Sequence, residues 1–277
     1  MNNMNLAVVN HEGPISGRYR LRNPLLGQTQ QGRPFFKMYL EDMTGIIPAF
    51  TWQIEEEIPD DLSLVQVGGL VKKGRGNMVV DIGYVAPVRR VDSDVVRLIP
   101  RSICPRPELL AALAEVVKQI QVPALRAFVV SVLSDDAIAF PFVGCPASLP
   151  YHHNYPGGLL YHSIECAQML GRYQEFPREK KELGMVAGLF HDIGKIRTMT
   201  SKMKRTHLGK CVDHDALTLE VLAPYLRHLD IACPKEAAEL RYILTWKAGS
   251  KNRGIPKTPL VNAVLGADRV SAGVNGG

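Results

Sequence analysis

Four of the eight histidines in this 277-residue chain fall in two short phrases, YHHNYPGGLLYHS from Tyr151 to Ser163 and GLFHDIGK from Gly188 to Lys195. Imidazole nitrogens and carboxylate oxygens together suit a divalent cation such as manganese, iron, cobalt, nickel or zinc. Gly157-Gly158 precede a helix expected over about 159–173. At about 100° per residue, His162 shares its face with Leu159, Cys166, Met169 and Tyr173. Taken alone, such a histidine is either a satisfied core residue or a ligand. A second helix, about 179–192, carries the stripe Leu183, Val186, Ala187 and Phe190 and ends in His191-Asp192, with Gly194 suited to its cap.

The last helix supplies another carboxylate. Thr258-Pro259 is a start signal, after which Val261, Val264, Leu265 and Asp268 share one face. A charged residue on an apolar stripe is costly unless it is paired or bound to a metal. Arg269, the adjacent base, points about 100° away.

The elements holding these residues belong to the second of two halves. Through residue 90 the pattern has a period of two. Strands are expected over about 16–26, within 33–52 as a hairpin turning at Asp42 to Gly45, and over 64–73 and 77–88. Five strands with a break after the third suggest an all-β barrel of the OB type, whose strand 2 and 3 face commonly binds single strands. Phe35, Lys37 and Tyr39 share one face there and could stack bases and touch phosphate, or could close the barrel. Phe36 and Trp52 are expected in the barrel core. From about residue 105 the period becomes helical: Pro107 opens a helix with the stripe Leu109, Leu113, Val116 and Ile120, and Pro123 opens another. The expected organisation is therefore a barrel at 1–90, a proline-bearing linker at 91–106 and an all-α domain at 107–277.

Charge separates the halves too. Residues 1–100 carry 11 Lys+Arg and 11 Asp+Glu, so the whole surplus of +6 lies in residues 101–277, with 22 bases and 16 acids. Lys195, Arg197, Lys202, Lys204, Arg205 and Lys210 form a run without an acid, and Lys247, Lys251, Arg253 and Lys257 form a second. Such groups either hold phosphate or line a solvated loop. Five widely spaced cysteines, none in a CxxC pair, fit free thiols in a reducing cytoplasm. No apolar run reaches the length of a membrane span and no signal-peptide pattern opens the chain, so a cytoplasmic protein without membrane contact is expected.

The order His162, His191-Asp192, Asp268 resembles that of the HD-domain metal-dependent phosphohydrolases. The phrases HHNYPGGLLYHS, GLFHDIGK and GADRVSA, together with GRPFFKMYLEDMTGIIPAFTW in the first half, resemble the bacterial OB-fold plus HD-domain 3′-to-5′ exoribonucleases of the YhaM type over about 15–273. The stretch CPASLPYHHNYPGGLLYHS is also similar to the HD region of one class of conjugative relaxases. The resemblance implies a metal at His162, His191, Asp192 and Asp268, with Asp192 and Lys195 at the chemistry. It also implies a single-stranded RNA or DNA substrate and allows a homo-oligomer. His153, Arg197, Lys202, Lys204, Arg205 and Lys247 are the expected phosphate-side residues. Of the histidines between the HD pair and the last aspartate, His214 is a candidate for a partial second metal site and His207 a weaker one. Trp246 and Lys247 stand where the family has further ligands. Two alternatives stay open: hydrolysis of a nucleotide, and a nucleic-acid-binding or mobile-element accessory protein whose HD site has decayed.

Overall fold

Alternation of inward apolar and outward polar residues closes the first 102 residues into a barrel. The computed structural model describes residues 4–54, 57–74, 76–88, 94–247 and 258–274, and the chain divides into two units, Met1–Ser102 and Ile103–Gly277. In the first unit β1 (Gly13–Gln28), β2 (Pro34–Glu41), β3 (Ile46–Thr51), β4 (Leu64–Lys73) and β5 (Met78–Pro87) form a closed barrel in the order β1-β2-β3-β5-β4. The long first strand makes closure possible. Its first half pairs with β4 and its second with β2, and the register shifts between Arg22 and Leu25 where the strand bends. β3 and β5 pair parallel and all other neighbours antiparallel, which is the OB connectivity. Tyr19, Leu21, Met38, Leu40, Val65, Val67, Val80 and Ile82 fill the interior.

All five expected strands are present, and the hairpin turns at the expected place because the Asp42 carboxylate accepts the backbone N–H of Thr44 at 2.7 Å and of Gly45 at 3.3 Å. The segment expected as a linker behaves differently. Val95, Val96, Leu98 and Ile99 are buried, Arg20 donates to the Leu98 carbonyl and Arg97 reaches Asp42. Residues 95–102 are thus part of the barrel unit, and the border falls between Ser102 and Ile103. Residues 91–93 lie outside the described residues.

The second unit is helical: α1 (Glu108–Gln119), α2 (Pro123–Leu133), α3 (Asp136–Gly144), α4 (Gly158–Gly171), α5 (Arg178–Phe190), α6 (Lys195–Thr198), α7 (His214–Ala232), α8 (Pro234–Lys247) and α9 (Pro259–Val274). A two-residue-per-strand hairpin, β6 (Met199–Thr200) and β7 (Lys204–Arg205), interrupts them. Phe128 of α2 and Phe142 of α3 meet Phe190 of α5 with ring centroids 6.1 and 6.0 Å apart, so the helix that ends in His191 is anchored by aromatic packing. Thr258 caps α9 as expected, accepting the Val261 N–H. Among the described residues no single helix is long and apolar enough to cross a membrane.

Candidate metal centre and nucleic-acid face

Three helices deliver four donors to one point. His162 comes from the middle of α4, His191-Asp192 from the end of α5 and Asp268 from α9. His162 Nε2 stands 3.1 Å from His191 Nε2, 3.5 Å from Asp192 Oδ2 and 3.2 Å from Asp268 Oδ1. His191 Nε2 stands 3.5 Å from Asp192 Oδ2 and 3.3 Å from Asp268 Oδ1. Donor atoms about 2.1 Å from a shared ion lie roughly 3.0 to 3.4 Å apart in cis-octahedral or tetrahedral positions. The set therefore fits one divalent cation, and it is the set expected from the sequence.

Hydrogen bonds at the far side of each ring fix the tautomers. His191 Nδ1–H donates to the Gly188 carbonyl at 2.9 Å. The Ser271 hydroxyl donates to Glu165 Oε2 at 2.8 Å, since a carboxylate only accepts, and so Ser271 Oγ accepts from His162 Nδ1–H at 2.9 Å. Both Nε2 atoms then turn toward each other, 3.1 Å apart, and toward the Asp192 and Asp268 carboxylates, an arrangement that a shared cation would satisfy. Burial pushes the His162 imidazole down to about 4, against the opposing pull of Asp268, which keeps it neutral and ready to bind a metal at neutral pH. Ser271→Ala is expected to weaken divalent-metal affinity about 10- to 100-fold, measured by titration calorimetry; Ser271→Thr, which keeps the hydroxyl, is expected to restore most of it.

Asp192 serves two sides. Its Oδ2 faces the imidazole pair and also accepts from Lys195 Nζ at 2.6 Å, so the buried lysine balances a buried carboxylate. Its Oδ1 lies 3.3 Å from His214 Nε2, and His214 lies 3.4 Å from Asp215. Asp192, His214 and Asp215 form a second group that could hold a metal ion. Asp215 went unnoticed in the sequence, although the dipeptide His214-Asp215 repeats His191-Asp192. Glu165 and Ser271 carry no signal of their own in the sequence; each lies three residues after a candidate donor on the same helix, the spacing that places two side chains on one flank. Trp246 packs on Tyr242 with centroids 5.5 Å apart.

A cavity of about 240 Å³ opens beside the centre, lined by His152, Lys195, Thr198, Arg205, Asp213 and His214 among others. Here the expectation for His153 is corrected. A backbone φ of +49° at His153 turns its ring inward, where it is buried and its Nε2–H donates to the Ser271 carbonyl at 3.1 Å. Its neighbour His152 lines the cavity instead, with its ring 5.5 Å from that of His162. Gly157, with φ +80°, makes the left-handed turn into α4 that glycine tolerates best. Of the expected phosphate-side bases, Arg205 lines the cavity. Arg197, Lys202 and Lys204 are exposed outside its lining. The side chain of Lys247 lies outside the described residues, as do Lys251, Arg253 and Lys257. His207, His11 and His228 are exposed.

On the barrel, Lys37 and Tyr39 are exposed and Phe35 half-buried on the outer face of β2, the three residues expected there. Phe36 packs against the core as expected, but Trp52 does not. Trp52 lies just past β3 on the outer surface, with Phe35 5.5 Å and Phe50 5.6 Å away and the Arg33 guanidinium 4.3 Å over its ring. The strand ends at Thr51, which takes the inward position, so Trp52 falls on the outer side with Phe50.

A family model described as HD domain matches residues 159–273. The chain is also similar over most of its length to proteins named 3′-5′ exoribonuclease YhaM. The one from Oceanobacillus iheyensis is 24% identical over 258 residues, covering 89% of this chain and 79% of its own. That from Shouchella clausii is 26% identical over 239 residues, covering 83% and 73%, and that from Bacillus subtilis is 21% identical over 248 residues, covering 87% and 78%. Among solved structures, the second OB-fold domain of replication protein A from Methanococcus maripaludis aligns with 33% of this chain and 99% of its own at 17% identity, with a TM-score of 0.24. Residues 159–273, which match the HD-domain model and gather His162, His191, Asp192 and Asp268, follow a closed barrel, and in this the chain is similar over most of its length to the proteins named 3′-5′ exoribonuclease YhaM.

Proposed function

We propose that the chain is a metal-dependent phosphodiesterase that shortens single-stranded nucleic acid from its 3′ end. The observation that carries this reading is the pair of tautomer-locked imidazoles facing each other at 3.1 Å and completed by Asp192 and Asp268. His162, His191, Asp192 and Asp268 would hold the ion, with manganese the preferred candidate, and a divalent ion supplies Lewis acidity that activates water and draws charge from phosphoryl oxygens. The protein does the rest. Lys195 holds the Asp192 carboxylate in place and presents positive charge at the cavity wall, where Arg205 and His152 also stand to meet a phosphodiester. Burial of the donors keeps water from competing for them. Arg197, Lys202 and Lys204 would draw in the polyanion.

The barrel face supplies strand affinity. Its charge balance of zero over residues 1–100 makes stacking, rather than phosphate attraction, its main contribution. Because stacking of a base on an aromatic ring is worth about 1–3 kcal/mol, Trp52→Ala is expected to weaken single-strand binding by about 5- to 150-fold. It should leave turnover of a small phosphodiester such as bis-p-nitrophenyl phosphate unchanged; unchanged strand binding would remove Trp52 from the interface.

The reading is tested by incubating the protein with Mn²⁺ and 5′-end-labelled single-stranded RNA, single-stranded DNA or nucleoside triphosphates. A descending ladder from the 3′ end that Asp192→Ala eliminates is the expected result. Phosphate release from mononucleotides alone would replace the proposal with nucleotide hydrolysis. Strand binding without turnover, unaltered by the substitution, would mark an accessory binding protein.

A further inference from the structure

Cys166 follows His162 by one turn of α4 and plays no part in the reaction outlined above. Its side chain is buried, and its Sγ lies 3.9 Å from His162 Nε2. His162, Cys166 and His191 present donor atoms all within 4.8 Å of one another, and His162, His191, Asp192 and Asp268 form a separate set with the same property. The two imidazoles are common to both. The pair is therefore within reach of carboxylate oxygens in one set and of a sulfur in the other.

We infer that the centre has two alternative donor sets sharing His162 and His191: an oxygen set with Asp192 and Asp268 for hard divalent ions, and a sulfur set with Cys166 that captures thiophilic ions such as Zn²⁺ or Cd²⁺. This rests on the reading of the imidazole pair as a metal centre. Thiolate selects soft ions, whereas carboxylate suits Mn²⁺. Capture breaks the S–H bond, forms a sulfur–metal bond and releases the proton to solvent, with no change of oxidation state. Lys195 favours the exchange. Its ammonium already sits 2.6 Å from Asp192 Oδ2, so a carboxylate relinquished by a departing ion keeps a positive partner, and the cost of leaving that charge buried is avoided. Thiophilic ions would accordingly act as inhibitors that Mn²⁺ displaces poorly.

The test loads the metal-free full-length protein with one equivalent of Co²⁺ and records the near-ultraviolet spectrum, where thiolate-to-cobalt charge transfer absorbs. A band is expected in the unmodified protein and in Cys211→Ser, which removes the exposed thiol, and is expected to vanish in Cys166→Ser and Cys166→Ala. The same two substitutions should lower the Zn²⁺-over-Mn²⁺ affinity ratio by at least about tenfold while leaving Mn²⁺ affinity intact. Stoichiometric Co²⁺ binding without the band overturns the inference and leaves the metal centre standing, as does a band that Cys211→Ser abolishes. Failure of the unmodified protein to bind either Co²⁺ or Mn²⁺ overturns both. The cobalt spectrum of the unmodified protein decides the matter even if a Cys166 variant does not fold.

Discussion

Asp192→Ala is expected to lower kcat for phosphodiester hydrolysis by more than about 10³-fold, since loss of a single preorganised electrostatic group already costs about 10²- to 10³-fold, and to release the divalent ion. The carboxylate serves more than one partner. Oδ2 completes the donor set around His162 and His191 and accepts from Lys195, while Oδ1 faces His214. The substitution also strands Lys195, whose side chain is only 10% exposed, as a buried cation without its carboxylate. Removing one partner of a buried pair costs about 3–5 kcal/mol, so Asp192→Ala is expected to be destabilised as well as inactive. The double substitution Asp192→Ala with Lys195→Met separates the two effects. Thermal unfolding should show much of the lost stability returning, while turnover measured with saturating Mn²⁺ stays absent. Recovery of activity in the double variant would mean that Asp192 acts only by neutralising the lysine.

Gly194→Ala is expected to damage both the fold and the centre through a single methyl group. A Cβ at this position would lie 2.0 Å from the His214 carbonyl oxygen and 2.9 Å from the Thr218 nitrogen. Both atoms are backbone at the start of α7 and cannot rotate away. Overpacking of this kind typically costs about 1–3 kcal/mol and more where no side chain can yield. Moving α7 relieves the clash only by pulling His214 and Asp215 away from Asp192 Oδ1. It also disturbs Thr218, whose hydroxyl accepts the Gly194 N–H and donates to the His191 carbonyl. Calorimetric unfolding together with steady-state turnover should therefore show a lowered Tm, a lowered kcat, or both. An alanine variant that matches the unmodified protein in both would show that α7 is not packed on the HD turn as described.

Gly194 also shows where the sequence is legible and where it is not. A glycine after His191-Asp192 reads naturally as a left-handed helix cap, yet its φ is −57° and its ψ −20°. It is glycine because another helix presses on it, and close approach between elements distant in sequence leaves no local periodic trace. The convergence of His162, His191, Asp192 and Asp268 is legible for the opposite reason: a histidine or aspartate on an apolar stripe is a local anomaly whose burial cost demands a partner. The barrel strands were equally readable, because inward Met38 and Leu40 alternate with outward Lys37 and Tyr39. Alternation stops at strand ends and gives no guide to the residue beyond. Trp52, one residue beyond β3, was expected inside and lies outside. Which member of His152-His153 faces the cavity depends on the positive φ of a loop residue, and no pattern encodes that. Residues 95–102 resemble a linker because Pro100, Pro105 and Pro107 punctuate the segment, whereas the apolar Val95, Val96, Leu98 and Ile99 ahead of them are the better guide to burial. The α3 helix, with Pro141 inside it, stayed hidden behind the same residue type.

On the proposed function, His162, His191, Asp192 and Asp268 hold the ion on which hydrolysis depends. The most direct test is a titration in which chelator-stripped protein receives Mn²⁺ stepwise, with bound metal per chain and the rate of shortening of 5′-labelled single-stranded RNA recorded on the same samples. The stripped protein is expected to be inactive, and the rate to rise in parallel with occupancy and to reach its plateau as the site fills. Shortening that survives complete removal of metal, or a filled site that hydrolyses nothing, would contradict the account.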